Sequence, residues 1–318
     1  MIERDLMLDG SAAIVLAVLA WHVPGVARRF GRAGLALFVA GVLLPFLDPG
    51  LFHLLAVDRI ELLSRPPLVQ APLLALGLIA ALAVLVACAA TPRRALAVAL
   101  GLGAGYAAHA LLALLTPVGW PLLAPFSGAR VLLPILPAGH VVLLGVTFAG
   151  LVLAEALPRW RRGMVLGTLV LAGAYGLAGA VQYAILTVRV QPLAAAGARV
   201  HVYPDGNSLA RWEVVLESPQ RYELRRARAL TQPLPEPRVL PRWNDEALFL
   251  KLLGDPVVSR FYFRVFHHPV VRLDVSGSQI TLLMQELEHQ SPLVPGPTFY
   301  LESDLSGRNR FYQLQRFN

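Results

Sequence analysis

A single cysteine in 318 residues, Cys88, excludes an internal disulfide and any zinc site built on paired cysteines. It sits within an apolar run and carries no information about redox compartment. Motifs that bear chemistry are equally scarce. Gly101-Leu102-Gly103-Ala104-Gly105 has neither a strand before it nor the G-x-G-x-x-G spacing, which excludes a dinucleotide fingerprint. Gly206-Asn207-Ser208 lacks the G-x-S-x-G frame of a nucleophile elbow. No internal repeat is evident and charges within the apolar stretches are few, which argues against a transporter or channel with an ion path. The first ten residues set Glu3, Asp5 and Asp9 against Arg4, unlike the basic opening of a secretory signal, so the first apolar run is expected to be a retained helix.

What the chain does have is apolar sequence. With 56% apolar residues and a mean hydropathy of +0.58 it exceeds the range of soluble proteins and reads as a polytopic membrane protein. Stretches of spanning length fall at about 11–27, 33–55, 68–90, 95–116, 139–157 and 163–188. Pro45, Pro49 and Gly50 interrupt the second, and a Pro-rich loop precedes the fifth. Arginines cluster on alternate connections: Arg28, Arg29 and Arg32, then Arg93 and Arg94, then Arg159, Arg161 and Arg162. The positive-inside rule makes these loops cytoplasmic. Both termini and the tail are then expected outside the cytoplasm, which for a bacterial inner membrane means the periplasm.

The net charge of +8 divides unevenly. Through Arg189 there are 13 basic and 7 acidic residues, and beyond it 15 and 13. The near-balanced tail argues against a nucleic-acid partner. Its pattern also changes to short alternating runs. In Arg211 to Glu217 the even positions are apolar and most odd ones charged, the period of a half-buried strand. Further strands are predicted over 200–203, 222–226, 270–274, 280–286, 299–302 and 311–314. Asn244 is placed to cap a helix over 245–253, with a second helical stretch to Phe266. The fold class expected is therefore a helical polytopic membrane domain over 1–189 with about six spans, followed by a small extracytoplasmic α+β domain over 190–318.

Candidate site residues are few. His109 lies inside an apolar helix and is followed by a loop rich in Pro, Gly and Trp. An ionisable side chain at membrane depth marks function by default, while a neutral imidazole bonded to a neighbouring helix is the alternative reading. Asp48 is bracketed by Pro45 and Pro49 in a broken helix, where freed backbone must line protein or water. Glu155 stands near a helix end, close enough to the interface to be solvated. His22, His201, His267, His268 and His289 are assigned no chemistry, and no carboxylate pattern surrounds His201 or His289. Gly101 and Gly105, like Ala172, Gly176 and Ala180, lie a helical turn apart, as small helix-packing faces do.

One resemblance ties several of these residues together. Gly105-Tyr106 with His109, then Leu115-Thr116-Pro117, Gly119, Leu123-Ala124-Pro125-Phe126-Ser127 and Arg130, resembles the YdjM-type (YfhP-like) family of bacterial membrane-bound metal-dependent hydrolases. Leu43-Leu44-Pro45-Phe46-Leu47-Asp48 is similar to that family's Leu-Pro-Asp-x-Asp segment. Tyr203-Pro204, Trp212-Glu213-Val214-Val215 and Pro269-Val270 resemble the extramembrane domain of its longer members.

The resemblance implies a divalent metal, zinc or manganese, held by two aspartates after the proline of the second helix, a His-Arg-Gly-x-Thr-His segment, and a His-x-x-x-Asp pair in the fourth helix. A histidine and an aspartate four residues apart share one helix face. Oxygen and imidazole ligands suit such a metal, whose bound water becomes the nucleophile. This chain departs from the pattern at most positions. Asp48 matches the second aspartate, but Phe46 occupies the first. Arg65 matches the arginine, while Ser64, Leu68 and Val69 replace the histidine segment's other key residues. His109 is kept and Ala113 stands for its aspartate.

Asp48 and His109 are therefore the surviving catalytic or metal-ligating candidates, with His53 and His140 as possible helpers and Arg65, Thr116 and Arg130 in the loops over the site. A catalytic zinc wants three protein ligands and an open position. The function expected is a degenerate relative of the hydrolases, without a bound cofactor, acting as a structural or partner-binding membrane component. The alternative is an active metal-dependent hydrolase of a phosphoester or other lipid-derived substrate. The partners expected are the lipid bilayer, another membrane protein or such a lipid-derived molecule.

Overall fold

Runs of Leu, Ala and Val with polar residues only at their ends favour helix, and each apolar stretch forms one. In the computed structural model these are α1 (Ile2–Trp21), α2 (Val26–Leu43), α3 (Pro72–Ala89), α4 (Pro92–Leu114), α5 (Val141–Ala156) and α6 (Arg161–Val190). The structure describes residues 2–22, 26–47, 71–117, 119–124, 126, 130–137, 141–205, 208–230, 234–242, 269–276, 279–286, 298–304 and 310–315. Three helical stretches, Pro72–Ala89, Pro92–Leu114 and Pro158–Leu193, are long and apolar enough to cross a membrane. Gly10–Leu19, Gly31–Phe46 and Val141–Ala156 are shorter apolar helices. The second helix stops well before residue 55. Beyond Leu43 the chain tightens into a 3-10 turn, Leu44–Phe46, because Pro45 has no N–H to continue the α-helical ladder.

Large apolar side chains face outward along the long helices. Leu85 in α3 is 64% exposed and Val170 in α6 is 69% exposed. A water-soluble surface seldom carries so continuous an apolar face.

The chain divides into two compact units, one holding most of residues 2–180 and the other beginning at Val181 within α6. In the first unit α2 and α4 touch backbone to backbone. A Cβ at Gly105 would overlap the Phe38 carbonyl and one at Gly41 the Leu102 carbonyl, so only glycine permits this approach. Around the crossing, Leu44, Ala75, Ile79, Leu102, Tyr106, Ala113 and Trp120 form a buried cluster drawn from α2 to α4 and the loop that follows. A smaller cluster of Leu19, Ala154 and Val165 joins α1, α5 and α6.

The second unit contains two antiparallel four-stranded meanders. The first is β1 (Arg199–Pro204), β2 (Trp212–Glu217), β3 (Arg221–Ala227) and β4 (Arg238–Pro241). The second is β5 (Pro269–Ser276), β6 (Gln279–Glu286), β7 (Thr298–Asp304) and β8 (Arg310–Gln315). All seven predicted strands are present. The helices expected over 245–266 lie outside the described residues.

β2 departs from its half-buried expectation. Residues Trp212 to Leu216 are buried on both faces, because Val215 packs with Tyr222 and Leu224 under Leu240 and Val270. On the other face Trp212 is fully buried. Its indole N–H is shared between the Gln182 side chain of α6 at 3.0 Å and the Leu209 carbonyl at 2.9 Å, and Tyr183 lies beside the ring. Arg189 adds a 2.7 Å bond to the Ala229 carbonyl. The last turns of α6 thus anchor the first sheet.

Candidate functional site

His109 arrives on the second-last turn of α4 with no exposed surface. Its Nδ1 lies 2.8 Å from the Val42 carbonyl oxygen. A carbonyl only accepts, so Nδ1 donates, and in the neutral ring Nε2 is then the basic nitrogen. The bond has a sequence cause. Val42 is in the last turn of α2, where carbonyls lose their intrahelical partners, and the turn that follows places Pro45 where an N–H would have returned. An imidazole from α4 supplies the missing donor.

Among the described residues, aromatic rings flank the histidine. Phe46 lies with its ring 5.6 Å from that of His109 and Trp120 with its ring 5.5 Å away, while Tyr106 meets Trp120 edge-on at 5.9 Å. From α1, Gly10 offers only backbone: a Cβ there would come within 2.9 Å of the Phe46 ring and 3.5 Å of the His109 ring. Among the described residues, the rings of Phe46 and Trp120 and main chain from α1 and α2 stand beside His109.

Trp120 is positioned by a hairpin. Thr116, fully buried, donates from its hydroxyl to the Ala113 carbonyl at 2.7 Å and so finishes α4. Gly119 takes a positive φ of 66° to turn the chain. Trp120 and Val131 then exchange main-chain bonds of 2.8 and 2.9 Å. Arg130 reaches back to the Gly119 carbonyl at 3.4 Å. Thr116 and Arg130 therefore build the loop that carries Trp120 to His109. Asp48, His53, Arg65 and His140, the other sequence candidates, lie outside the described residues.

The two carboxylate positions of the family pattern can be followed where they fall in the described chain. Phe46 presents a ring to His109, and Ala113 is buried one turn further along α4. Among the described residues no three His, Cys, Asp or Glu side chains are placed to share an ion. The groups described around His109 do not fit a divalent metal, which needs charged or lone-pair donors where aromatic carbon stands here. No family model matches the chain, and no curated protein or solved structure matches it.

Two further clusters were missed in the sequence. His22 places Nε2 2.7 Å from Glu155 and donates from Nδ1 to the Val18 carbonyl at 2.8 Å, while Arg161 meets the other Glu155 oxygen at 3.0 Å. Glu155 is about half exposed, as its place near the helix end suggested, but it is paired. In the sheet, His201 does have a carboxylate. Its Nε2 is 3.1 Å from Glu217, which also meets Arg242 at 3.0 Å, and the Tyr203 hydroxyl donates to Nδ1 at 3.4 Å. The sequence signal was available only through register. His201 faces Val215 and Arg199 faces Glu217, so Glu217 is the diagonal neighbour of His201 on one face. Glu213, which is buried, pairs with Arg226 across β2 and β3 at 3.2 Å.

Proposed function

We propose that this chain is a multi-pass protein of the bacterial inner membrane, with six helices in the bilayer and its C-terminal domain in the periplasm. In this reading it is a relative of the YdjM-type hydrolases whose inherited site has been converted from metal binding to packing, and it acts as a structural or partner-binding component. The observation that carries this is the His109 pocket, where a main-chain carbonyl takes the imidazole N–H and aromatic rings occupy the space beside it. The arginine-bearing loops and the outward apolar faces of α3 and α6 support the membrane placement. Metal analysis of the purified protein tests the reading. It predicts far less than one equivalent of zinc, manganese or iron, and no His109-dependent hydrolysis of phosphoesters; a stoichiometric metal would overturn it.

One observation favours the second reading, an active hydrolase. Donation from Nδ1 to a carbonyl is also how a metal-ligating histidine is held in orientation. That reading requires its remaining ligands from the candidates Asp48, His53 or His140, and the same metal analysis separates the two.

A further inference from the structure

The loop that carries Trp120 has an outer side. Leu122, Leu123, Val131 and Leu133 are each more than 40% exposed, and Phe126 is 85% exposed. These are unusual residues to offer to water, and from Ala110 to Ala154 the only ionisable side chains in the sequence are Arg130 and His140. Arg130 turns its guanidinium inward to the Gly119 carbonyl.

The backbone is equally distinctive. A segment can enter hydrocarbon only if its N–H and C=O groups are satisfied within the protein. Here Gly119, Trp120, Leu122, Ala124, Val131, Leu133, Ile135 and Leu136 all donate to main-chain carbonyls of the hairpin or of the end of α4. Prolines at 117, 121, 125, 134 and 137 have no N–H to satisfy. The bonds from Leu133 to Leu114 at 2.8 Å and from Leu136 to Leu115 at 2.9 Å tie the hairpin to the last turn of α4. Its apolar side chains thereby continue the outward apolar surface of that helix, where Leu111 is 57% exposed.

We propose that this hairpin is a re-entrant wedge whose occupant is lipid: Leu122, Leu123 and Phe126 insert among acyl chains at the non-cytoplasmic interface of the membrane. The choice of lipid over a protein partner rests on that continuity with the outward face of α4, and on the eight N–H groups named above, which are bonded within the hairpin or to the end of α4. The inference rests on the reading that the helices span a bilayer.

Nitroxide labels in reconstituted vesicles, placed in the full chain carrying C88A, test it. Labels at F126C and L123C are compared with V84C, on the exposed face of α3, and with Q220C, on the exposed turn between β2 and β3. Accessibility to oxygen relative to a water-soluble nickel chelate is expected to be several-fold higher at 123 and 126 than at 220, and to approach that at 84. Values at 123 and 126 matching those at 220, with 84 in lipid, overturn the wedge while leaving the spanning helices intact. Exclusion of both reagents at 126 also overturns it, because the face is then covered by protein, a second copy or another partner. A water-accessible label at 84 overturns the spanning reading and the wedge together.

Discussion

Two histidines of the helical unit, His22 and His109, do opposite things with the same side chain. His109 lies beside Gly10, and His22 lies at the end of the same α1, so the two sites are separated by about 18 Å along that helix at 1.5 Å per residue. His109 is wholly buried, bonded to a main-chain carbonyl and flanked by rings. His22 is partly buried, 2.7 Å from a half-exposed carboxylate that an arginine also holds. The contrast teaches that an imidazole's role follows from what faces it. An exposed ion pair is worth about 0–1 kcal/mol, whereas a buried carbonyl left without its donor costs about 1–3 kcal/mol.

The comparison breaks most severely if the helices that bring His109 to Val42 are forced apart. In Gly105→Val the new side chain meets the Phe38 carbonyl, a backbone atom that cannot rotate away. We expect a loss beyond the roughly 1–3 kcal/mol of ordinary overpacking, seen as little folded protein on size exclusion in detergent. Normal yield and stability would show that α2 and α4 do not cross at these glycines.

Replacing the histidine itself comes next. His109→Leu leaves the Val42 carbonyl without its donor and should lower stability by about 1–3 kcal/mol, read as a fall in Tm. His109→Asn, which can place an amide N–H near the Nδ1 position, should recover part of that loss. Equal losses in the two variants would mean that ring packing, and not the hydrogen bond, carries the effect.

The smallest change is expected at the other histidine. Glu155→Gln should shift stability by no more than about 1 kcal/mol, and the shift should shrink as salt is raised. A loss as large as that of His109→Leu would remove the distinction between the two sites.

Much of the architecture was legible because it depends on local pattern. Apolar runs located each of the six described α-helices, and alternation located seven strands. β4 was not predicted: Pro235, Pro237 and Pro241 lie in and around Arg238–Pro241, yet an edge strand tolerates proline, and β4 is the edge of its sheet. Helix lengths were less legible, since Pro45 ends α2 sooner than hydropathy suggests. At the site, His109 and the loop after it stood out by composition. The ring of Trp120 against His109 did not, because it depends on a β-bridge between residues 120 and 131. Glu155 beside His22 was hidden for a similar reason: two helix ends far apart in sequence meet only in the folded bundle.

The central claim is that His109 is a packing residue, held by the Val42 carbonyl and flanked by the rings of Phe46 and Trp120. Thermal unfolding of the wild-type protein and of His109→Leu, each with a chelator and with added zinc or manganese, tests it most directly. A ligand that binds only the folded state raises Tm as its concentration exceeds its Kd. The account predicts that the wild-type Tm is unmoved by chelator or metal and that His109→Leu is lower under every condition. A wild-type Tm that falls with chelator and recovers with metal, in a way abolished by His109→Leu, would contradict it.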